Sequence, residues 1–153
     1  MSHATSTKRP RTAPLYERDL HAWSLEQARL LREGRLEEVD AENVAEEILD
    51  VGRNEFHRLE SALRVLLMHM LKWDHQPEKR SRSWEASIAL QRLSALKQLR
   101  DNPSLKPRTA DAVRDAYSAA RLEASGETDL DVETFPAACP YDWDAILNRP
   151  FKR

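Results

Sequence analysis

The chain has one cysteine, three glycines and no apolar run long enough to cross a bilayer. Each shortage excludes something. A lone Cys139 can form neither an internal disulfide nor a cysteine-based zinc site, which fits a reducing compartment. No glycine-rich phosphate loop, Gly-x-Ser-x-Gly elbow or zinc-ligand spacing occurs. The most apolar stretch, 63–71, is interrupted by Arg64 and His69 and falls well short of the roughly 20 residues a spanning helix needs. Lys8, Arg9 and Arg11 are not followed by the apolar segment of a secretory signal. β-Branched residues are sparse beside Leu, Ala, Glu and Arg, which disfavours a sheet. A formal net charge of −2 gives no global pull toward nucleic acid or anionic membrane. These absences predict a soluble, cytoplasmic helical chain with no membrane association and no cofactor.

What is present is enough for a real core. The 153 residues are 41% hydrophobic and 33% charged, the size of one domain. Residues 1–14, rich in Ser, Thr, Pro and basic side chains, read as a flexible tail, and 15–153 as a single helical domain. A first helix is predicted over 15–32, with Tyr16, Leu20, Trp23, Leu30 and Leu31 near one face and Gly34 ending it as a left-handed cap. Asp40 precedes a long second helix whose first turns are acidic. Val44, Ile48, Val51, Phe56, Leu59, Leu63, Leu66 and Met70 recur mostly by threes and fours, so one inward stripe is expected along it. Gly52 is the expected bend, and Gln76-Pro77 the stop.

Ser81 or Ser83 caps a third helix carrying Trp84, Ile88, Ala95, Leu96 and Leu99. Ser104 or Thr109 opens a fourth with Val113, Ala116, Tyr117, Ala120 and Ala124 inward and Gly126 at its end. The remainder, with Pro136, Pro140 and Pro150, reads as a segment wrapping over the bundle and holding one short helix at 142–147. The expected architecture is all-α, a four-helix bundle with a long second helix. Charge is uneven, with ten acidic residues against three arginines over 33–60, and nine basic against four acidic over 72–108. The acidic start of the long helix is expected beside the basic third helix.

Several strings in order carry a resemblance. They are Glu42-Asn43, Glu46-Glu47-Ile48 and Gly52; His69-Met70-Leu71-Lys72-Trp73 with Gln76-Pro77; Arg80-Ser81-Arg82-Ser83-Trp84 with Ile88; Pro103-Ser104-Leu105; and Phe135-Pro136 leading to Cys139-Pro140-Tyr141. Together they resemble the uncharacterised bacterial family numbered twenty-nine among the domains of unknown function, over about residues 15–147. The resemblance implies an all-helical fold and occurrence in cyanobacteria and proteobacteria. It brings no activity, substrate or catalytic residue.

Two candidate sites follow from the residues themselves. Trp73 and Trp84 bracket a loop with Lys79, Arg80 and Arg82, a composition suited to gripping phosphate or stacking a base. The structural alternative makes both indoles core anchors and gives Arg82 backbone carbonyls or acidic neighbours to bond. Arg64 and His69, four residues between them, resemble the Arg-x4-His pair of helical prokaryotic ribonucleases, a fixed cation and a base near neutral pH. Against it, residues five apart point about 140° from each other on a helix. Glu17 and His21 sit one turn apart, but no Glu-x-x-His pair accompanies them, so no metal is expected. Cys139 has no cation or histidine near it in sequence and reads as a buried anchor. The balance favours a non-enzymatic helical interaction protein with an unidentified protein partner, a homodimer included. A nucleic-acid role is the alternative.

Overall fold

The computed structural model describes residues 13–152, so nearly all of the tail expected at 1–14 lies outside the described residues. Six α-helices and no strand occur among them: α1 Ala13–Arg18, α2 Leu20–Arg32, α3 Ala41–His75, α4 Arg82–Asp101, α5 Thr109–Thr128 and α6 Trp143–Asn148. The chain divides into two compact units, 1–52 and 53–153. α3 contributes residues to both.

In the first unit the helix expected over 15–32 is split at Asp19. Its φ of −153° leaves the helical region, and its carboxylate accepts the Ala22 N–H at 2.9 Å, capping α2. The far end of α2 closes as expected on Gly34, at φ +71°. The Arg35 N–H reaches the Leu30 carbonyl at 3.0 Å and the Gly34 N–H reaches Leu31 at 3.2 Å, a Schellman motif. The core here is small. Trp23 and Leu30 are buried with two polar residues, Gln27 and Asp40. The Trp23 indole donates to Asp40 at 3.2 Å, and the Gln27 side-chain oxygen accepts the Asp40 N–H at 2.7 Å. Tyr16 packs edge-on to Trp23, centroids 4.8 Å apart, and donates to Glu47 at 2.8 Å. Leu20 and Leu31, expected inward, are exposed instead.

α3 is helical over 35 residues, Gly52 included. Its apolar stripe does not stay buried throughout. Ile48 and Val51 are exposed, and burial begins at Phe56. From Leu66 to Trp73 nearly every side chain is buried, including Leu67, Met68 and Leu71 off the expected stripe. A helix apolar on all sides is one surrounded by others. Within 53–153 the last turns of α3 are therefore the centre, packed in one cluster with Ile88, Ala95 and Leu99 of α4, residues of α5, and Phe135, Ile146 and Phe151. On α5 the inward positions are Ala112, Ala116, Ala120 and Ala124, a four-residue repeat of methyl groups that lets backbones approach closely. α5 continues past Gly126 to Thr128 and is ended by Asp129 at φ +60°. Leu96, expected inward, faces solvent.

The C-terminal segment wraps onto the second unit, and its short helix α6 begins at the expected position, capped by Asp142 through the Ala145 N–H at 2.7 Å. Phe151, close to the end of the chain, is buried.

Candidate functional site

α3 ends at His75, and a 3-10 turn at Pro77–Lys79 leads to Ser81, whose hydroxyl accepts the Trp84 N–H at 3.3 Å and starts α4. Between these points lies the basic, tryptophan-flanked loop. Trp73 is buried and meets Phe151 edge-on, centroids 5.5 Å apart. Trp84 is half-buried, and the ammonium of Lys72 sits 4.7 Å from its ring centre. Lys72 is itself buried and pairs with Glu127. Arg80, not Arg82, takes the internal role. Its guanidinium stacks on Trp73 at 4.9 Å, and its Nε donates to the Trp73 carbonyl at 3.0 Å, satisfying an orphan group at the end of α3. Lys79 and Arg82 are exposed.

Arg64 and His69 have separate surroundings. Arg64 pairs with Glu123 of α5. His69 is half-buried with Nδ1 3.0 Å from the Val65 carbonyl one turn earlier. Burial pushes its imidazole below the ordinary histidine value against the pull of that carbonyl, with Lys72 adding to the depression. The ring is thus bonded to its own helix, apart from the Arg64–Glu123 pair. Arg64 does line a surface groove of about 580 Å³ between α3 and α4, with Arg58, Ser61, Gln91 and Ser94.

A polar constellation joins Tyr141, from the family strings, to Asp74, Arg92 and Arg149, which the sequence did not single out. Arg149 donates to both oxygens of Asp74, at 2.8 and 2.6 Å, and the Tyr141 hydroxyl donates to Asp74 at 2.8 Å. Burial alone raises the Asp74 carboxyl, but the bonds from Arg149 and Tyr141 outweigh it and hold the group below the usual carboxylate range. Arg92 of α4 donates to three carbonyls around the end of α6, those of Ile146 at 2.8 Å, Ala145 at 3.1 Å and Arg149 at 2.7 Å. A cation at a helix C-terminus also complements its dipole. Phe151 lies under both guanidiniums, 5.1 Å from Arg92 and 4.8 Å from Arg149. This constellation fastens the C-terminal segment to α3 and α4. Cys139 is half-buried, burial pushes its thiol up, and its Sγ lies 3.5 Å from the Tyr141 carbonyl. A neutral thiol there is a packing group. Among the described residues, no group of three or more His, Cys, Asp or Glu side chains is placed to hold a metal ion. No helix among them is long and apolar enough to cross a membrane.

A family profile described as a domain of unknown function matches residues 15–152. The chain belongs to the DUF29 family. Neither a curated protein nor a solved structure matches it. Several of the motifs that announce DUF29 in this sequence fall where the structure makes junctions. Trp73, Gln76 and Arg80 tie the end of α3, with the Gln76 amide donating to the Thr128 carbonyl at 3.1 Å. Phe135 is fully buried and its carbonyl accepts the Arg121 Nε at 3.1 Å. Tyr141 closes on Asp74. Trp73, Gln76, Arg80, Phe135 and Tyr141 of the family strings thus have folding roles, whereas Ile48 and Arg82 are exposed.

What remains without a folding role lies on the surface. Leu90, Leu93 and Leu96 of α4 are exposed, as are Ile48, Leu49 and Val51 of α3. The signal was present in the sequence, since Leu90 and Leu93 lie on the side of α4 opposite Ile88 and Ala95.

Proposed function

We propose that this chain is a non-enzymatic cytoplasmic bacterial protein that works by helix-on-helix contact with a protein partner. The observation that carries the reading is the pair of exposed aliphatic helix faces, on α4 and on the first turns of α3. A run of aliphatic side chains repeating at helical spacing on the surface is the feature by which one helix recognises another. The chemistry-bearing groups support the same reading from the other side. Arg64 is held by Glu123, His69 by its own helix, Cys139 by burial, and Arg80 by Trp73.

The test is in-cell cross-linking followed by capture, comparing wild type with Leu90→Gln/Leu93→Gln. The reading expects proteins captured with wild type and lost with the variant. Identical capture by both would remove it.

A nucleic-acid role is favoured by one observation, the exposure of Lys79 and Arg82 beside the half-buried Trp84. It expects single-stranded RNA to bind with an affinity that falls steeply with salt and drops on Lys79→Ala/Arg82→Ala. Its catalytic version, through Arg64 and His69, is excluded if His69→Ala and wild type cleave RNA equally.

A further inference from the structure

One concavity in the second unit has a lining that folding does not explain. It holds about 500 Å³ between the last turns of α4, the 3-10 turn Pro103–Arg108 and α6. Its floor is apolar, with Leu96 and Leu99 from α4 and Trp143 and Leu147 from α6. A smaller hollow of about 230 Å³ adjoins it through the shared Thr109 and Trp143, and is lined further on by Val113, Tyr141 and Ile146. The walls are fixed from behind. Arg92 holds the carbonyls of Ala145, Ile146 and Arg149, and buried Leu105 anchors the 3-10 turn. A site whose walls are set before a ligand arrives loses less free energy to ordering on binding.

Charge at the mouth has one sign. Arg100 and Lys106 line the cavity, and no Asp or Glu does. Asp101 is shared by Arg100 and Lys97, so one carboxylate stands against two cations there. The Lys106 carbonyl accepts the Thr109 hydroxyl at 3.1 Å, but its ammonium has no hydrogen bond or ion pair among the described residues. Acids on the contributing helices are engaged elsewhere. Asp111 and Asp115 pair with Arg114, Asp142 caps α6, and Asp144 accepts the Asn148 amide. Arg100 and Lys106 are both exposed, so a bound anion meets them without burying an unpaired charge.

We propose that this cavity binds an apolar carboxylate, a small molecule whose aliphatic or aromatic body lies on Leu99, Trp143 and Leu147 while its carboxylate meets Lys106 and Arg100. A mostly apolar lining with a few convergent polar groups is the make-up of a small-ligand pocket, and the volume falls within the roughly 300–1,000 Å³ such pockets span. The two halves of the site select together. A free phosphate leaves the apolar floor in water, and a neutral alcohol forgoes the charge-assisted bonds. The inference goes beyond the helix-contact reading and is independent of it, because Leu90 and Leu93 do not line the cavity.

Octanoate is the probe, titrated into the full chain and followed by NMR, with 1-octanol and inorganic phosphate alongside. The indole N–H signal of Trp143, identified by its loss in Trp143→Phe, should shift and saturate with a Kd of roughly 1 mM or tighter. Arg100→Ala/Lys106→Ala should weaken octanoate about tenfold and leave the weaker binding of octanol unchanged. Both positions are exposed, so circular dichroism and Tm should match wild type. Should the double variant unfold, Lys106→Gln replaces it. Leu90→Gln/Leu93→Gln should bind octanoate as wild type does. A Trp143 signal unmoved by octanoate overturns the proposal. So does octanol binding as tightly as octanoate, phosphate moving the signal equally, or shifts spread over all exposed leucines, which would mean detergent-like adsorption. If octanoate fails while capture of another protein still depends on Leu90 and Leu93, the ligand inference falls and the interaction reading stands.

Discussion

Asp74→Asn is the substitution that most directly probes how the C-terminal segment is fastened. The carboxylate accepts two bonds from Arg149 and one from Tyr141. Charge-assisted bonds contribute up to about 1.5–3 kcal/mol each when shielded from water. Here the Asp74 and Arg149 side chains are 26% and 35% exposed, so solvent screening reduces the sum, and Asn still accepts one bond. A net loss of about 2 kcal/mol follows, which for a chain of this size lowers Tm by roughly 4–8 °C. The pH dependence carries a sign. Asp74 has its folded pKa depressed, so its contribution is fully present above the ordinary carboxylate value near 3.9 and is lost as pH falls through the folded one. Urea unfolding of wild type and variant should therefore differ by a constant amount from pH 7 to about pH 5, and the gap should close in stronger acid. Hydrogen exchange should quicken over 141–152 and change little elsewhere. A variant within about 0.5 kcal/mol of wild type at pH 7, or a gap that persists in acid, refutes the reasoning.

Glycine substitutions should separate by backbone conformation. Gly34→Ala places a side chain at φ +71° and should cost about 1 kcal/mol, whereas Gly126→Ala, inside α5 with no atom within 4 Å of the new methyl, should stabilise by about 0.5–1 kcal/mol in thermal melts. Ala120→Leu forces three extra carbons into the alanine seam of α5 and should destabilise by about 1–3 kcal/mol or more in urea, while Leu122→Ala, at an exposed position, should change little. His69 has a lowered folded pKa, so its neutral form contributes stability above the ordinary histidine value near 6.5 that is lost as pH falls below it. His69→Gln should flatten that part of the stability profile, and an NMR titration should place the His69 midpoint below the ordinary histidine value near 6.5.

The helical class, the long second helix, the Gly34 cap, the stop at Gln76-Pro77 and the Asp142 start of α6 were legible because each rests on local chemistry. The α1–α2 break was not, because Asp19 sits within a run of good helix formers and only its carboxylate on the Ala22 N–H decides against continuing. The burial of Leu67, Met68 and Leu71 was missed for a different reason. A single-stripe reading assumes one solvated side, and this stretch of α3 has none. Ile48 and Val51 failed in the opposite direction, since periodicity marks an apolar face without saying what covers it. The candidate site fared similarly. Arginine in a basic loop reads alike whether it stacks on Trp73, as Arg80 does, or faces water, as Arg82 does. The Asp74–Arg149 pairing joins residues 75 apart, and no local pattern announces such a contact.

A scattered exposed leucine needs no explanation, because most folded surfaces are more than half apolar. The α4 face differs in its periodicity. Leu90, Leu93 and Leu96 stand with Ala86 and Ala89 on one side of a helix whose other side already completes a core through Ile88, Ala95 and Leu99. Such a face adds nothing to folding and lowers solubility, so its effect should appear in association alone. The two quantities can be separated in one variant. Leu90→Gln/Leu93→Gln removes apolar surface that is already mostly in water, so ΔG of unfolding at protein concentrations below dissociation should stay within about 0.5 kcal/mol of wild type. Association, and any concentration dependence of Tm, should disappear. A loss of several kcal/mol at low concentration would instead mean that these leucines support the fold of the isolated chain, and the α4 face would cease to be a docking surface.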